Sequence, residues 1–399
     1  MLRGAAVGAA ALLAGCGGAS APRPSEPPTA TAVGPTPRVG PTPAAEVAAS
    51  ATPGRPVFPF TRGVNVDDWF LRSYFDDQLD DRDFELIRGL GFSFVRLPLD
   101  PEFFSGEAGV STDIRLVERT VDRLAGRGLA TLLDPHPDDL GLKRRLMAGD
   151  AAAVARYERF LEGLAGRFAA RGARLVAIEL VNEPHDAVAA WEALQRRFLA
   201  AARRGAPELT VVLTGEDWSS VSGLARLAPV PDHNVAYTFH FYDPHEFTHQ
   251  GATWAKPVWR YLAGVPYPGS PGRVAEALRR AEEELRDPAV RREVRAALEA
   301  YGTAGWDAAR IGREVERAAA WARRNGAVVF CGELGVYRRG ADPADRDRWL
   351  RDVRLALEEQ GIGWALWEYH RGFGLVEPGS SGRRPVASMA AALGLNQVG

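Results

Sequence analysis

Two glutamates, Glu183 and Glu333, each follow a run of apolar residues that is typical of a buried parallel strand. The first run is Leu175–Val181, which only Glu179 interrupts, and the second begins at Ala327. In an α/β barrel the carboxyl ends of the strands meet on one face, where the following loops form the site. Two carboxyl groups on such a face could act as proton donor and nucleophile in retaining hydrolysis of a glycosidic bond.

Further polar or aromatic residues fall at the ends of predicted strands. They are Arg96, His136, Asn182, His240, Tyr242 and Trp367, with Trp69 and Trp218 as additional candidates for substrate contact after the first and fifth strands. Singly, each could belong to an ion pair, a turn, a helix cap or the core. Together they indicate one shared place, the mouth of a barrel, because polar side chains at strand ends are costly to bury unpaired.

The elements that would position these residues alternate along residues 57–399. The predicted strands are Thr61–Val66, Phe92–Leu97, Ala130–Asp134, Leu175–Val181, Thr210–Thr214, Val235–Phe241, Ala327–Glu333 and Gly363–Trp367. Between them lie stretches with helical periodicity, such as Ile114–Arg127, Ala151–Arg171 and Pro343–Gln360. Eight strand–helix units predict a closed parallel sheet, the α/β (β/α)8 TIM barrel.

One connection is much longer than the others. Between the sixth strand and the helix at Ile311–Asn325 the chain has an insertion with a charged helical run, Val274–Ala300. Its large aromatic residues are Trp254, Trp259, Tyr261, Tyr267 and Trp306. The insertion could form a wall of the cleft and stack these rings on sugars, or the rings could form a small core of the insertion itself.

The N-terminal residues indicate export. Arg3 and the small apolar run that follows it are typical of a signal peptide, and Leu13-Ala14-Gly15-Cys16 resembles the lipobox of bacterial lipoproteins. We therefore expect residues 1–16 to be a lipoprotein signal with Cys16 as the lipid-bearing residue, a plain secretory signal being the alternative. Residues 17–56 are rich in Pro, Ala and Thr and predict a disordered tether that would hold the protein on the outer face of a bacterial membrane.

The composition fits a soluble enzyme domain. A formal net charge of −2 argues against binding to nucleic acid, and 46% hydrophobic residues suffice for a large core. With Cys16 lipidated, Cys331 has no partner for a disulfide, and its strand position favours a core role. We expect a monomer, since the Arg-rich helices are most simply solvated faces.

The motifs as a set resemble glycoside hydrolase family 5, the cellulase family of clan A, from Arg62-Gly63-Val64-Asn65 to Trp364-Ala365-Leu366-Trp367. The resemblance implies that Glu183 is the acid/base and Glu333 the nucleophile. It also implies a β-linked polysaccharide substrate, with β-1,4-glucan as the expectation and mannan, xyloglucan or β-1,3-glucan as alternatives, and neither a cofactor nor a metal.

The residue types suggest how the remaining side chains would serve such a site. Arg96 and Tyr242 would hold Glu333 ionised, whereas Glu183 would need a raised pKa. Asn182 would bond the sugar 2-hydroxyl. His136 and His240 would bond hydroxyls or orient the carboxylates, and Trp367 would be the floor under the reacting sugar. Retention requires the two carboxyl groups to lie roughly 5–5.5 Å apart.

Two other interpretations belong to different classes. His245-Glu246-Phe-Thr-His249 matches the zinc-peptidase pattern His-Glu-x-x-His, although Pro244 and Gly251 limit the helix that this motif needs. A surface lipoprotein that binds glycans without cleaving them is the second alternative, against which both carboxylates argue.

Overall fold

The computed structural model describes residues 56–67, 69–71, 79–106, 109–137, 141–186, 191–380 and 382–398. The predicted signal peptide, Cys16 and nearly all of the predicted tether lie outside these ranges. Along the described residues no helix combines the length and the apolar character that crossing a membrane requires.

Eight parallel strands close into a barrel, as the alternation of strands and helices predicts. Each strand pairs with its neighbours in sequence, and β1 pairs with β8 to close the sheet. The strands are β1 Arg62–Asn65, β2 Phe94–Leu99, β3 Ala130–Pro135, β4 Val176–Glu179, β5 Thr210–Thr214, β6 Val235–Phe241, β7 Val328–Leu334 and β8 Gly363–Leu366. All eight lie within about two residues of their predicted ends, and the (β/α)8 fold is confirmed.

A helix follows every strand and packs outside the sheet. These helices are α1 Asp81–Gly89, α2 Ile114–Ala125, α3 Ala151–Phe168, α4 Trp191–Gly205, α5 Val221–Arg226, α6 Ala308–Asn325, α7 Pro343–Glu359 and α8 Ala387–Ala392. Aspartates cap the first turns of α1, α3, α6 and α7, where a carboxylate accepts from free backbone N–H groups.

Shorter elements decorate the loops. One-turn or two-turn helices are Pro101–Phe104, Leu142–Met147, Glu216–Ser219 and His245–Thr248, and 3-10 turns are Ala169–Arg171 and Pro257–Tyr261. Two small antiparallel pairs are Ser105–Gly106 with Gly109–Val110, and Val376–Gly379 with Gly382–Pro385.

Apolar side chains fill the amino-terminal part of the barrel interior. Phe58 and Phe60 cover its amino-terminal end, where Phe60 stacks on Phe330 at 4.3 Å and Phe58 lies 5.6 Å from Phe94. A Cβ on Gly63 would come within 2.3 Å of the Phe94 ring, so only glycine leaves room for this plug. Polar side chains therefore occupy the other, carboxyl-terminal half of the interior.

The insertion between β6 and α6 is a small helical subdomain. Its predicted single helical run is two helices, Ala275–Glu284 and Pro288–Ala304, because Asp287 and Pro288 start a new helix. Tyr267 anchors the insertion to α7, donating from its hydroxyl to Asp352 at 2.9 Å and from its backbone to Asp345 at 2.8 Å.

The insertion's aromatic residues divide between its core and its surface. Trp259, Tyr267 and Trp306 are buried, as the core interpretation predicts, whereas Trp254 and Tyr261 are 59% and 41% exposed. Only the latter two are placed to meet a partner in solvent.

Candidate active site

The two glutamates lie together at the mouth of the barrel. Glu333 is the sixth residue of β7, and Glu183 follows β4 with a left-handed backbone, φ 47°. One oxygen of each carboxylate and one ring nitrogen of His240 all lie within 4.8 Å of one another. This closeness fits the carboxyl spacing of retaining hydrolases, whereas inverting enzymes need roughly 6.5–9.5 Å to admit a water.

Glu333 is buried and held at both of its oxygens. Arg96 Nη1 donates to Oε1 at 2.6 Å, and the Tyr242 hydroxyl donates to Oε2 at 2.8 Å. Charge-assisted bonds at both oxygens are short and strong, so they fix the direction of this carboxylate. The predicted contacts of Arg96 and Tyr242 with Glu333 are therefore present.

Arg96 is fully buried at the centre of this network. Its Nε donates to Glu179 at 2.9 Å, and its Nη2 lies 3.0 Å from Asp134 and 2.9 Å from Asn182 Oδ1. Its Nη1 also reaches Asn65 Oδ1 at 3.0 Å. The guanidinium thus compensates several buried acids at once, which only the planar five-donor arginine can do.

Sequence reasoning missed three members of this network, although each left a signal. Asn65 and Asp134 are polar residues at the ends of predicted strands, and Glu179 interrupts an apolar strand. Asn65 also donates to the carbonyls of Gly332 at 3.0 Å and Leu366 at 3.1 Å, which ties β1 to β7 and β8.

Asn182 and His136 form a second chain of contacts beside the carboxylates. His136 Nδ1 lies 2.9 Å from Asp134 Oδ2, which makes Nδ1 the donor and leaves Nε2 to accept from Asn182 Nδ2 at 3.0 Å. The Nδ2 group of Asn182 carries a second N–H that can donate to another acceptor. Trp367 follows β8, and its ring lies 6.0 Å from that of His136 at an angle of 28°.

Glu183 is paired with His240, whose Nδ1 lies 2.8 Å from Glu183 Oε1. Burial favours a raised pKa of Glu183, but the hydrogen bond from His240 and the charges of His240, Lys143 and His136 lower that pKa to about 2. Burial opposes charge on His240, but Glu333 and Glu183 together raise its pKa above 6.5. The expectation of a raised pKa for Glu183 is therefore wrong for this arrangement, because the hydrogen bond and the charge of His240 outweigh the effect of burial.

The rim beside Glu183 holds an exposed aromatic pair. Trp218 is 47% exposed and stacks on His185 with ring centres 3.7 Å apart. Its backbone N–H donates to Pro184 O at 3.1 Å, next to Glu183. Asp217, Trp218 and Ser219 all have left-handed backbones, with φ between 55° and 61°. Such strain in non-glycine residues costs energy and collects at functional sites.

Trp69 does not line the mouth, which corrects its prediction as a substrate contact. It is only 5% exposed, stacks on Phe70 with ring centres 5.0 Å apart, and lies 5.7 Å from Phe84. An aromatic residue after β1 can satisfy its apolar surface against α1, and the sequence does not distinguish that contact from a sugar platform.

Two groups of side chains have the spacing of a metal site, namely Asp134–His136–Glu333 and Glu183–His240–Glu333. Arg96 touches Asp134 and Glu333, so its positive charge occupies the place where a cation would sit. The donors of both groups are already engaged with one another, and the chemistry of the set fits a proton-transfer site better than a cation cage.

The His-Glu-x-x-His segment forms a single helical turn, His245–Thr248, with His249 just beyond it. The two imidazoles stack 5.1 Å apart and pack on Trp259. Burial, with the charge of His245, lowers the pKa of His249 to about 3. Within the described ranges no third ligand joins this pair, so a zinc-peptidase site does not form there.

Comparison with known proteins gives one concordant result. The profile of the cellulase family, glycosyl hydrolase family 5, matches residues 53–372. Endoglucanase C of Acetivibrio thermocellus is 25% identical over 78% of this chain and 92% of its own length. Cellodextrinase A of Ruminococcus flavefaciens is 24% identical over 75% of this chain and 83% of its own.

Solved structures share the fold. The endoglucanase Cel5A of Thermotoga maritima superposes with a TM-score of 0.65 at 22% identity, over 84% of this chain and 97% of that one. The cellulose synthase subunit Z of Clostridioides difficile gives 0.66 at 20% identity, over 84% and 99%. Because both sequence identities are low, these two similarities concern the fold alone.

Proposed function

Because this chain belongs to the cellulase family, glycosyl hydrolase family 5, we propose that it is an endo-acting β-1,4-glucanase in which Glu333 is the nucleophile and Glu183 the acid/base. Family membership makes the chain a retaining O-glycosyl hydrolase of the cellulase type that acts on β-linked polysaccharide, and sets the non-catalytic interpretation aside. The observation that carries the assignment of roles is the close pair of carboxylates, one clamped by Arg96 and Tyr242 and the other joined to His240.

In the first step Glu333 attacks the anomeric carbon as Glu183 protonates the departing oxygen. Glu333 is ready for attack because Arg96 and Tyr242 hold both of its oxygens and fix its direction. The proton comes from His240 along the 2.8 Å contact to Glu183. Substrate binding favours that transfer, since it removes water from the 20% of the Glu183 side chain that is exposed.

In the second step Glu183 takes a proton from water, which attacks the same carbon and releases Glu333. Formation of the glycosyl ester removes the negative charge of Glu333, one of the charges that raise the pKa of His240. The pKa of the pair therefore falls once the ester has formed. Glu183 then stays unprotonated and can accept the proton from water. We assign Asn182 to bond the 2-hydroxyl and Trp367 to stack under the sugar ring.

The substrate assignment rests on the relatives. Endoglucanase C and cellodextrinase A support a β-1,4-glucan. β-Mannan is the second candidate, because Thermotoga maritima Cel5A has been solved with mannotriose as well as with cellobiose.

Trp254, one of the two exposed aromatic residues of the insertion, supports an extended cleft. Trp254 packs edge-on against Tyr337 at 4.7 Å and lies 6.3 Å from Phe373, whose ring is 6.1 Å from Tyr242. We infer that Trp254 extends the binding surface beyond the nucleophile, which would suit a polymer more than a disaccharide.

Release of reducing sugar from carboxymethyl-cellulose, glucomannan, xyloglucan and laminarin tests the substrate. We expect activity on carboxymethyl-cellulose with a rapid fall in viscosity, which distinguishes cleavage within the chain from cleavage at its end. Faster cleavage of glucomannan than of any glucan would move the assignment to a mannanase. Folded protein inactive on all four would contradict it.

Azide rescue tests the two roles separately. With an activated aryl β-cellobioside, Glu333→Ala should form the α-glycosyl azide, because azide displaces the leaving group directly. Glu183→Ala should form the β-glycosyl azide, because azide attacks the glycosyl ester on Glu333. The opposite pairing of products would exchange the roles.

We also propose that Cys16 carries a lipid and that residues 17–56 tether a monomeric catalytic domain outside the cell. The lipobox-like Leu13-Ala14-Gly15-Cys16 and the proline-rich composition support this. Cell fractionation should find the native protein with membranes and Cys16→Ser in the medium or soluble fraction. An unchanged membrane fraction for Cys16→Ser would overturn the proposal.

A further inference from the structure

A pair of acids, one of which directly follows Trp367 in the chain, has no part in the mechanism above. Glu368 follows Trp367 after β8 and is only 3% exposed, and Asp67 follows β1. The two side chains come within range of one shared hydrogen bond. Each also has one buried oxygen, Glu368 Oε2 and Asp67 Oδ1, that finds no donor among the described residues.

This contact and the two oxygens without a donor favour a proton between the two acids. Two ionised carboxylates can only accept, so a hydrogen bond between them needs one to be protonated. Burial first, and then the bond to Asp67 and its charge, raise the pKa of Glu368 well above its ordinary value. One shared proton would supply a donor where none is present and would remove one of two neighbouring negative charges, of which Glu368 is buried.

The pair connects the two loops that flank the sugar floor. Glu368 closes its own loop by accepting from Phe373 N at 3.2 Å through its side chain and from Leu375 N at 3.0 Å through its carbonyl. Tyr369, the next residue, donates from its backbone to Asn65 O at 2.9 Å. The acid bond from Glu368 to Asp67 adds a side-chain link between the end of β1 and the residue after Trp367.

We propose that Asp67 and Glu368 are positioning residues that share one proton, and that this proton fixes Trp367 under the reacting sugar. Loss of the proton places two negative charges in contact and pushes the β1 and β8 loops apart. The proposal rests on the proposed function for its catalytic consequence, but the proton itself can be detected without any activity.

The electrostatic surroundings favour retention of this proton at neutral pH. Glu333, at the end of β7, adds a third negative charge that acts on Glu368. His370 and Arg371 follow in the same loop, and Asn65, on the β1 side, is neutral. The negative charge of Glu333 therefore favours the protonated form of Glu368.

The catalytic test uses an activated aryl β-cellobioside, whose leaving group needs no proton from Glu183. For the wild-type protein kcat/KM should fall about tenfold per pH unit above the ionisation of the pair. Glu368→Gln supplies a permanent N–H donor to Asp67 and should keep kcat/KM level over the same range. Glu377→Gln, a half-buried glutamate on the neighbouring hairpin, is the matched control and should behave as wild type.

The second test measures thermal unfolding against pH. The folded state holds a proton that the unfolded chain releases above about pH 4.5, so this contribution to stability should be complete below that pH and should decrease as pH rises towards the ionisation of the pair. In Glu368→Gln that decrease should be absent. If Glu368→Gln fails to fold, Asp67→Asn, whose amide can donate to an ionised Glu368, should show the same two changes.

Identical pH profiles of wild type and variant in both tests would overturn the proposal. A flat unfolding profile of the variant combined with no activity of any form on any β-glycoside would instead retain the shared proton and reject the proposed function.

Discussion

The two glutamates of the mouth are the same residue type in opposite surroundings. The Glu333 side chain is 5% exposed and accepts from Arg96 and Tyr242, groups that stay in one protonation state at neutral pH. Glu183 is 20% exposed, has a left-handed backbone and bonds to His240, which titrates. The comparison shows that a fixed charge is built from partners that do not titrate, and a proton carrier from a partner that does.

Removing the carboxylate of Glu333 should have the largest effect. Glu333→Gln keeps the shape of the side chain and can still accept from Arg96, but it cannot form the glycosyl ester. We expect kcat to fall by roughly 10⁴-fold or more on every substrate. Thermal unfolding of the variant serves as the control for folding. A loss below about tenfold would remove Glu333 from the role of nucleophile.

Glu183→Gln should give a smaller loss that depends on the leaving group. General acid catalysis contributes about 10²–10⁴-fold, so hydrolysis of polysaccharide should fall by that factor. Formation of the glycosyl ester from a dinitrophenyl β-cellobioside should be almost unaffected, and a burst of dinitrophenol should precede slow turnover. The same loss with both leaving groups would show that Glu183 is not the acid.

Much of this arrangement could be predicted from the sequence because it depends on local order. Strand ends are marked by the change from apolar runs to Asn-Glu-Pro or Gly-Glu, and the closed barrel brings such ends together whatever the loops do. That logic predicted that Glu183, Glu333, Arg96 and Tyr242 would lie together, and their side chains do so in the structure.

The predictions that were wrong depend on contacts between residues that are far apart in the sequence. The pKa shift of Glu183 was predicted in the wrong direction because the prediction considered burial, which raises the pKa, without His240. His240 comes from another strand, and its hydrogen bond and charge lower that pKa. Trp69 and Trp218 both follow strands, yet one packs on α1 and the other on His185 in solvent. No pattern in the sequence separates these two outcomes, because they depend on where the next element packs.

His240→Ala tests the titrating side of the comparison. In the wild type the pair keeps its shared proton until the raised pKa of His240 is passed, so the alkaline limb of kcat/KM should lie above pH 6.5. In His240→Ala only Glu183 can hold the catalytic proton, and a carboxyl group releases it at lower pH. We expect the alkaline limb to move to lower pH, measured on a cello-oligosaccharide. An unmoved limb would show that His240 does not share the proton.

The smallest effect should come from Trp218, which belongs to the Glu183 side of the mouth. Glu183 protonates the departing oxygen, so an exposed ring beside it is placed to contact the leaving part of the chain. Stacking of this kind is worth about 0.5–1.5 kcal/mol, so Trp218→Ala should reduce kcat/KM on cellopentaose roughly two- to tenfold. An aryl β-cellobioside, which has no leaving sugars, should be hydrolysed at the wild-type rate.

Trp69→Ala is the matched control for this variant, because it removes the same side chain from a buried place. It should lower the free energy of unfolding by about 3–5 kcal/mol, whereas Trp218→Ala should change it little. Equal losses on cellopentaose and on the aryl cellobioside in Trp218→Ala would mean that the ring supports Glu183 itself. In that case the His185–Trp218 stack would help to position Glu183. The contrast between a firmly held Glu333 and a loosely held Glu183 would then no longer apply.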